Sequence, residues 1–532
     1  MPSKIGVLKE GKAIYPFWGK RFDKITGLDP LGQQNASEKI YSHLMPGITN
    51  LTNRIRYYGF YCWLLSEYVH LHENHFNQDD QRRFIRRAEL SIALVMNKLQ
   101  PGVLQIPGSN TAVSLLEEHK NQSVIELKPY TDDPNANGSY WKYSSGAFGQ
   151  YYAASIRQMG LIKEMVSENQ LVYMVTEESG KITGQKLANS FDKSLKLESK
   201  QRFLNIIEEG KLPVQDIPLI YEFFNITKIK QDTDEWNDYY ELLTGPDLPV
   251  LNEESDRHRY ETIQIILEKS EQNEKGLNST DLLNELFEQG LAINHKQFST
   301  EFGWYQYRLN EFWQFACGTF FWSLLEFLSS EKNGIYKEET LIEEYTVKVC
   351  EEAGINPGTQ FTEHIREIDV LSIQKIISET DQLVKSHNSI AAGKNALNIL
   401  FMLFSLSEKR LNNYLNILTE KSLVGTGSFL KTTQKLFNKE LVKKPFNFFL
   451  TNFIRSEILN RHRIVAINKL GKGSRSTLKF ETDGEYILYD NNFPPAFTNP
   501  RMDTLFKILT DLQVLRLNEV GNYIVHSTTN NT

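Results

Sequence analysis

The chain has 532 residues, of which 40% are hydrophobic and 12% aromatic, and a formal net charge of −7. This composition excludes a largely disordered protein and provides for large hydrophobic cores, with a length sufficient for about three domains. Its three widely spaced cysteines argue against a disulfide framework and indicate a reducing, cytoplasmic location.

The sequence does not indicate a segment that would direct the chain into or through a membrane. The N-terminal stretch MPSKIGVLKEGK has no apolar core of the kind found in secretory signals. The longest apolar run, Ala396–Leu406, is interrupted by Asn398 and Ser405 and is too short to cross a bilayer. We therefore expect no membrane contact and interpret this run as a core helix.

Two helices are predicted early in the chain. The first covers roughly Ser37–Leu44 and ends at Pro46-Gly47. The second has apolar residues at alternating spacings of three and four, the pattern of one buried helix face: Ile55, Tyr58, Cys62, Leu65 and Val69. His72 and His75 beyond it have the spacing of metal ligands. No carboxylate is fixed beside them, so no metal site is predicted.

A third helix, Asp79–Leu99, begins with two aspartates at its positive end. Four arginines follow and are neighbours at i, i+4 spacing: Arg82, Arg83, Arg86 and Arg87. Such a cluster is usually a solvated helix face, and a secondary phosphate-facing patch is the alternative.

Residues 140–195 have the order of elements found in a winged-helix module. A helix is predicted over Phe148–Met159, two short strands over Leu161–Lys163 and Leu171–Val175, and another helix from Thr183. In such modules a helix can enter the major groove of DNA while the hairpin contacts the backbone, although many bind only protein. We predict a winged-helix-like α+β module here and leave both kinds of partner open.

An aromatic-dense helix at Glu301–Leu328, single or broken at Gly318, is predicted to be the spine of a central helical core. An aromatic base-stacking platform is not favoured, because only Arg308 supplies an interleaved cation. Breakpoints at Glu209–Pro218, which contains Pro213 and Pro218, and at Thr244–Leu251 help to divide the chain. The predicted domains are an N-terminal helical region at 1–135, the winged-helix-like module at 136–212, a central helical domain at 213–420 and a basic C-terminal winged-helix-like domain at 421–532.

The most unusual feature of the sequence is a basic block, Lys421–Phe480, in which thirteen Lys and Arg residues face only two Glu. A cationic segment inside an acidic protein is the electrostatic footprint expected of a contact with a polyanion. The nucleic-acid-binding residues predicted from it are Lys435, Lys439, Lys443, Lys444, Arg461, Arg463, Lys469, Lys472, Arg475 and Lys479.

A second winged-helix-like module is predicted at residues 445–530. Its first hairpin is expected to join a strand at Ile464–Ile467 to another at Thr477–Thr482, which would place Lys472 and Arg475 at an exposed tip. Asp483-Gly484 predicts a tight turn into a further strand. A helix capped by Asn499 and a terminal hairpin around residues 518–521 complete the module.

Catalytic motifs are mostly missing from the sequence. It contains no Walker A motif, no Gly-x-Ser-x-Gly elbow and no Cys-x-x-Cys pair. Glu126 and Lys128 match half of a metal-dependent nuclease core. Arg455 and His462 resemble the Arg…His pair of HEPN-type ribonucleases. We predict no catalytic residue, no metal and no cofactor, and keep a nuclease as an alternative.

Two stretches, Gly27–Leu65 and Arg461–Leu515, resemble poorly characterised bacterial proteins encoded beside ATPases and nucleases in anti-phage defence islands. The first begins GLDPLGQQNASEKIY and the second RHRIVAINKL. The resemblance covers both ends of the chain and carries no known catalytic residues. It implies an accessory or sensor subunit of a defence complex, with ATPase or nuclease subunits as partners.

These observations together predict a mainly α-helical protein with winged-helix-like modules at residues 140–195 and 445–530. The expected function is that of a non-enzymatic subunit that binds nucleic acid, in the first place duplex DNA. A structural scaffold whose basic block docks an acidic partner subunit is the second hypothesis.

Overall fold

The computed structural model describes residues 29–72, 76–167, 170–177, 182–245, 253–330, 332–470, 477–498 and 501–526. It confirms a mainly helical protein with small sheets. The α-helices are α1 (Gln34–Leu44), α2 (Arg56–Leu71), α3 (Gln78–Leu99), α4 (Ser109–Glu118), α5 (Lys128–Thr131), α6 (Ala153–Gln158), α7 (Gly184–Lys193), α8 (Leu197–Glu209), α9 (Ile217–Phe224), α10 (Asp234–Thr244), α11 (Glu253–Gln272), α12 (Ser279–Ala292), α13 (Thr300–Ser330), α14 (Glu338–Ala353), α15 (Val370–Lys385), α16 (Ser389–Ser405), α17 (Ser407–Glu420), α18 (Phe429–Asn438), α19 (Phe446–Phe453), α20 (Asn460–Leu470) and α21 (Arg501–Asp511).

Short antiparallel sheets accompany these helices in the described part of the chain. The strands are β1 (Val124–Glu126), β2 (Ile162–Ser167), β3 (Gln170–Val175), β4 (Lys211–Pro213), β5 (Ile335–Lys337), β6 (Phe480–Asp483), β7 (Tyr486–Tyr489), β8 (Leu515–Leu517) and β9 (Tyr523–Val525). They pair as β1–β4, β2–β3 and β8–β9, and β7 lies between β5 and β6 in one three-stranded sheet. Single π-helical turns, Phe148–Tyr152 and Ile454–Leu459, precede α6 and α20.

Contacts divide the chain into two compact units, one of Met1–Tyr41 with Asn284–Thr498 and the other of Ser42–Leu283 with Asn499–Thr532. Each unit is therefore built from sequence segments that lie far apart. The four domains predicted from the sequence do not coincide with these units, since the domain predicted at 421–532 has residues in both, and their boundaries stay a prediction.

The first unit is built on α13, whose aromatic side chains are buried on almost every side. The helix runs unbroken through Gly318, as one helix of 31 residues. It packs along α16, where Gly393 allows a close approach because an added Cβ would lie 2.8 Å from Ser323 Oγ of α13. This burial confirms the prediction of an aromatic helical spine.

The second unit is organised around α2, which is buried well beyond the single face predicted from its apolar spacing. Gly59 lies against Tyr239 of α10, and an added Cβ would come within 2.0 Å of the tyrosine hydroxyl. Arg56 is buried on the same helix and pairs with Glu235, with 2.8 Å between Nε and Oε1. Any polar side chain on this buried helix therefore needs a hydrogen-bonding or charged partner, and Glu235 is the partner of Arg56.

The strands at residues 162–167 and 170–175 agree with the sequence prediction. The tight turn predicted at Asp483-Gly484 is present one residue later, at Gly484-Glu485, because Asp483 pairs with Tyr486 between β6 and β7. The predicted strand at Ile464–Ile467 is wrong, because these residues lie within α20. Val465 and Ala466 are buried as neighbours while Ile464 and Ile467 are exposed, which is a helical and not an alternating pattern. Packing of that face has overridden the β-propensity of Ile and Val.

Among the described residues, no single helix is long and apolar enough to cross a membrane. By length and composition alone, a bent pair consisting of Ser389–Ser405 and Arg410–Glu420 would reach that threshold. The first of these helices is α16, which is largely buried against α13.

Candidate nucleic-acid interface

Helix α18 carries the first exposed lysines of the basic block. Its N-terminus is fixed to α13, because the Phe429 N–H donates to Asn310 Oδ1 at 3.0 Å and the Trp313 indole N–H donates to the Gly427 carbonyl at 3.0 Å. Phe429, Leu430 and Leu436 bury the inner face of the helix. The opposite face is therefore presented to solvent on a helix that is anchored by its apolar side.

Five exposed lysines follow one another along α18 and the turn after it, and we call them the lysine face: Lys431, Lys435, Lys439, Lys443 and Lys444. The first three are spaced by four residues, so they lie along one side of the helix. The helix ends at Asn438, and Glu440 turns the chain with a positive φ of 53°. The short 3₁₀ segment Leu441–Lys443 then carries Lys443, and Lys444 follows it. Phe448, at the start of α19, is 48% exposed beyond them.

Two lysines of this face are ion-paired. Lys435 Nζ lies 2.6 Å from Oε1 of Glu457, a carboxylate that is itself buried. Lys443 pairs with Glu440 at 3.0 Å, and both side chains are exposed, so this pair contributes little to stability. No ion pair of Lys431, Lys439 or Lys444 is found within the residues that the structure describes.

Arg461, in contrast, is an internal side chain. Its guanidinium donates to the Leu31 carbonyl and, at 3.1 Å, to the Gly32 carbonyl. It also lies against Gly427, where an added Cβ would be 1.7 Å from Nη2. Burial lowers the pKa of this guanidinium, while Glu457 and Asp29 oppose that change. The contacts of Arg461 hold residues 31–32 to α20.

Three further predicted cations are engaged in contacts inside their own unit. Arg463 forms an ion pair with Glu338 and lies 5.1 Å from the Phe480 ring centroid. Lys469 donates to the Asp29 carbonyl at 2.7 Å. Lys479 donates to Asn491 Oδ1 at 2.6 Å. Burial lowers the pKa of both lysines, so desolvation is the largest influence on each ammonium group.

Lys472 and Arg475 lie outside the described residues. The hairpin that would have carried them requires a strand at Ile464–Ile467, and that stretch is helical. The ten predicted residues are thus divided: four lie on the exposed lysine face, four contact other residues of their own unit, and two fall in the undescribed stretch at 471–476.

His462, one half of the ribonuclease-like pair, is completely buried between Phe321 and Phe480. Its Nδ1 lies 2.9 Å from the Pro30 carbonyl, and its Nε2 accepts the Lys479 N–H at 3.0 Å. The two contacts require a neutral ring with the proton on Nδ1. Burial, reinforced by nearby cations, lowers the pKa of His462 to about 4.

The other ribonuclease-like residue, Arg455, forms an ion pair with Glu339 at 2.6 Å. Both nitrogens of His462 are occupied by main-chain groups, so this ring has no nitrogen available for a reacting group in this conformation. The contacts of His462 therefore describe a packing role, whereas Arg455 belongs to an ion pair at the surface.

Glu126 and Lys128, the nuclease-like pair, flank the end of strand β1. Glu126 forms an exposed cross-strand ion pair with Lys211, with 3.0 Å between the charged atoms. The strand belongs to a two-stranded sheet, and Lys128 begins the one-turn helix α5. Cross-strand pairing accounts for the position of Glu126.

The arginines of α3 are matched by local acceptors. Arg86 is completely buried and donates to the carbonyls of Trp141 and Tyr143 and to Ser139 Oγ. Arg87 binds both carboxylate oxygens of Asp132, which lowers the pKa of that acid against the opposing effect of its burial. A cavity of about 250 Å³ beside them is lined by both signs of charge: Asp79, Arg82, Arg83, Arg86, Asp132, Asp133, Pro134 and Ser144.

Comparison with protein-family models, with curated proteins and with solved structures found no match to this chain. The site is consequently defined by its own geometry. The sequence did not reveal the residues that accept hydrogen bonds from, or form ion pairs with, cations of the basic block: Asp29, Leu31, Gly32, Glu338, Glu339 and Glu457. No sequence signal links these residues to the cations, because most of them lie more than 100 positions away.

Proposed function

We propose that the protein binds nucleic acid, in the first place duplex DNA, through the lysine face of Lys431, Lys435, Lys439, Lys443 and Lys444. The observation that supports this proposal is the run of exposed lysines on an anchored helix. Phosphate contacts supply most of the affinity in sequence-independent DNA binding, and they require accessible cations on a fixed surface.

Helix stability does not account for the position of Lys431. A cation in the last turn of a helix is favoured by the helix dipole, which suits Lys435 and Lys439. Lys431 is the third residue of α18, near the positive end, where a cation is unfavourable. Like charges four residues apart also repel one another, by about 0.2–0.5 kcal/mol per pair. An anionic partner would relieve both penalties.

The dimensions of the helix suit a phosphate backbone. Lys431 and Lys439 are eight residues apart, which is about 12 Å along the helix axis. Each strand of duplex DNA carries one phosphate about every 3.4 Å of its axis. The lysine side chains could therefore contact several phosphates of one strand at once.

Winged-helix-like modules form the finer part of this proposal. The β2–β3 hairpin lies between α6 and α7, and the β8–β9 hairpin follows α21, which is the helix-and-wing order. Lys163 in the first hairpin and Arg516 in the second are exposed, as a wing that contacts a backbone would need. We place the chain, on its resemblance to defence-island proteins, as a cytoplasmic accessory or sensor subunit of an anti-phage complex with ATPase or nuclease partners.

The test is the salt dependence of DNA binding by the variant Lys431→Ala/Lys439→Ala/Lys444→Ala. These three lysines have no ion pair to lose among the described residues, so their removal should leave folding intact. A labelled 20-base-pair duplex is titrated by fluorescence anisotropy between 50 and 200 mM salt. Loss of three phosphate contacts should flatten the slope of log K against log salt by about 2.7, equally for unrelated sequences.

The matched control is Lys296→Ala/Lys375→Ala/Lys385→Ala, which removes the same charge from exposed positions of the same unit. This control should keep the wild-type slope. Equal slopes for the two triple variants would contradict the proposal, since they would show that only net charge matters. If the wild-type chain does not bind DNA and the lysine variant loses a protein partner, the acidic-partner scaffold is the correct function.

A further inference from the structure

A cluster of metal-ligating side chains lies in the second unit, far in sequence from the basic block. His43 is in the last turn of α1, Glu254 is in the first turn of α11, and His258 is one turn further along α11. One ligand atom from each of the three residues lies within 4.8 Å of the others. The two imidazole rings are 5.3 Å apart and tilted by 51°.

The spacing of the two α11 residues is that of helix-borne metal ligands. Residues at i and i+4 lie on one face of a helix, and Glu254 Oε1 is 3.9 Å from His258 Nε2. With zinc–ligand bonds of about 2.0–2.1 Å, ligand atoms around a tetrahedral ion lie roughly 3.3 Å apart. Small side-chain rotations would bring all three atoms to that separation.

A second carboxylate lies at the other nitrogen of the same histidine. Glu261 Oε2 is 3.5 Å from His258 Nδ1, while Glu254 lies on the Nε2 side. Metal-bound histidines usually donate their other N–H to a carboxylate or carbonyl, which fixes the ring and raises its basicity. Glu261 is placed for that function.

The local charge also favours a cation. Glu254 and Glu261 contribute two negative charges, and Arg257 lies 3.6 Å from Glu261 and balances one of them. Arg259, the nearby buried cation, is matched by Asp256 at 2.5 Å. The helix dipole accounts for a glutamate in the first turn of α11, but it does not account for two histidines that converge on it.

We propose that His43, Glu254 and His258 form a binding site for a zinc ion, with Glu261 orienting His258 and a water molecule completing the tetrahedron. Two imidazoles and one carboxylate suit zinc and other late divalent transition metals, whereas Mg²⁺ prefers oxygen ligands alone. The ion would join the end of α1 to the start of α11. The proposal is independent of DNA binding by the lysine face.

The experiment uses tag-free, full-length protein that has been stripped with EDTA. Cobalt(II) is added as a spectroscopic probe, because tetrahedral nitrogen–oxygen coordination gives intense visible absorption, and zinc is then added to displace it. We expect one cobalt ion per chain with zinc-reversible absorption. Thermal unfolding should also shift to higher temperature when zinc is present.

Three variants and one control distinguish a metal site from a structural polar cluster. His43→Gln and Glu254→Gln change partly exposed ligands and should each weaken zinc binding by at least about 10-fold. Glu261→Gln should weaken binding by about 10–100-fold without changing the ligand set. Glu271→Gln, an exposed glutamate on the same helix, should bind zinc like the wild type.

His258 is completely buried, so its replacement would confound binding with folding, and the partly exposed ligands are changed in its place. Circular dichroism of each metal-stripped variant checks that the fold is kept. Absence of zinc and cobalt binding by the wild-type chain would overturn the proposal. So would equal zinc affinity in Glu254→Gln, His43→Gln and Glu271→Gln.

Discussion

Replacement of Arg461 by Ala tests whether this cation belongs to the protein interior or to a nucleic-acid interface. The sequence places Arg461 in the basic block, and its charge alone would suggest a phosphate contact. In the structure its guanidinium binds the carbonyls of Leu31 and Gly32. We therefore expect Arg461→Ala to reduce stability and to leave the salt dependence of DNA binding unchanged.

The expected loss in the free energy of unfolding follows from the groups that lose a partner in Arg461→Ala. Two carbonyl groups of a buried segment lose their donor, and each costs about 1–3 kcal/mol. Leu31 is 1% exposed, so water would have little access to these groups. The lost packing of the long side chain against Gly427 adds to this cost. A total loss of about 3–5 kcal/mol in the free energy of unfolding is expected.

Urea unfolding followed by circular dichroism measures that loss. Hydrogen exchange of the amides in α1 gives a local readout, since residues 31–32 directly precede this helix. Arg461→Met keeps most of the side-chain volume but no donor, so it separates the hydrogen bonds from the packing. A variant with stability within about 1 kcal/mol of wild type, and with a salt slope lower by about 0.9, would refute the internal role.

Two further substitutions test the interiors of the units. The His462 ring has a pKa of about 4 in the folded protein and about 6.5 in the unfolded chain. The free energy of unfolding of the wild type should therefore be highest above pH 6.5 and fall by up to about 3 kcal/mol as the pH drops towards 4. His462→Gln removes this ring. The variant should lose this dependence, and its deficit against wild type in urea should be smaller at pH 4.5 than at pH 7.5. Gly59→Ala should destabilise by about 1–3 kcal/mol despite the higher helix propensity of Ala, because the new Cβ displaces the Tyr239 hydroxyl. Thermal unfolding should show partial recovery in Gly59→Ala/Tyr239→Phe, and equal losses in the single and double variants would contradict this account.

Much of the secondary structure was predictable, because it depends on local signals. The β6–β7 turn, predicted to within one residue, the β2–β3 hairpin and the aromatic helix α13 all follow from patterns within a few residues. Ile464–Ile467 was not predictable in this way. Its β-branched residues favour a strand locally, but Val465 and Ala466 are buried by packing that only the folded chain provides.

The positive charge of the candidate interface was predictable from the sequence, but the identity of the cations that form it was not. A sequence shows thirteen cations in the block and does not show which of them meet an acceptor. Arg455 and Arg463 bind Glu339 and Glu338, more than 100 positions earlier in the chain. For the proposed zinc site, Glu254 and His258 show a visible i, i+4 spacing, but His43 lies 215 positions before His258, and nothing in the sequence links them.

The division of the basic block also fixes the salt dependence expected of the wild-type chain. If all ten predicted cations contacted phosphates of duplex DNA, the slope of log K against log salt would be about −9. The lysine face offers five cations, and Lys435 and Lys443 are partly neutralised by Glu457 and Glu440, so the slope from this face should lie between about −2.7 and −4.5. A slope near −9 would require the cations Arg461 and Lys469 to leave their carbonyl partners. That release would expose or strand buried polar groups at about 1–3 kcal/mol each, a cost that would consume much of the affinity gained from each additional phosphate contact.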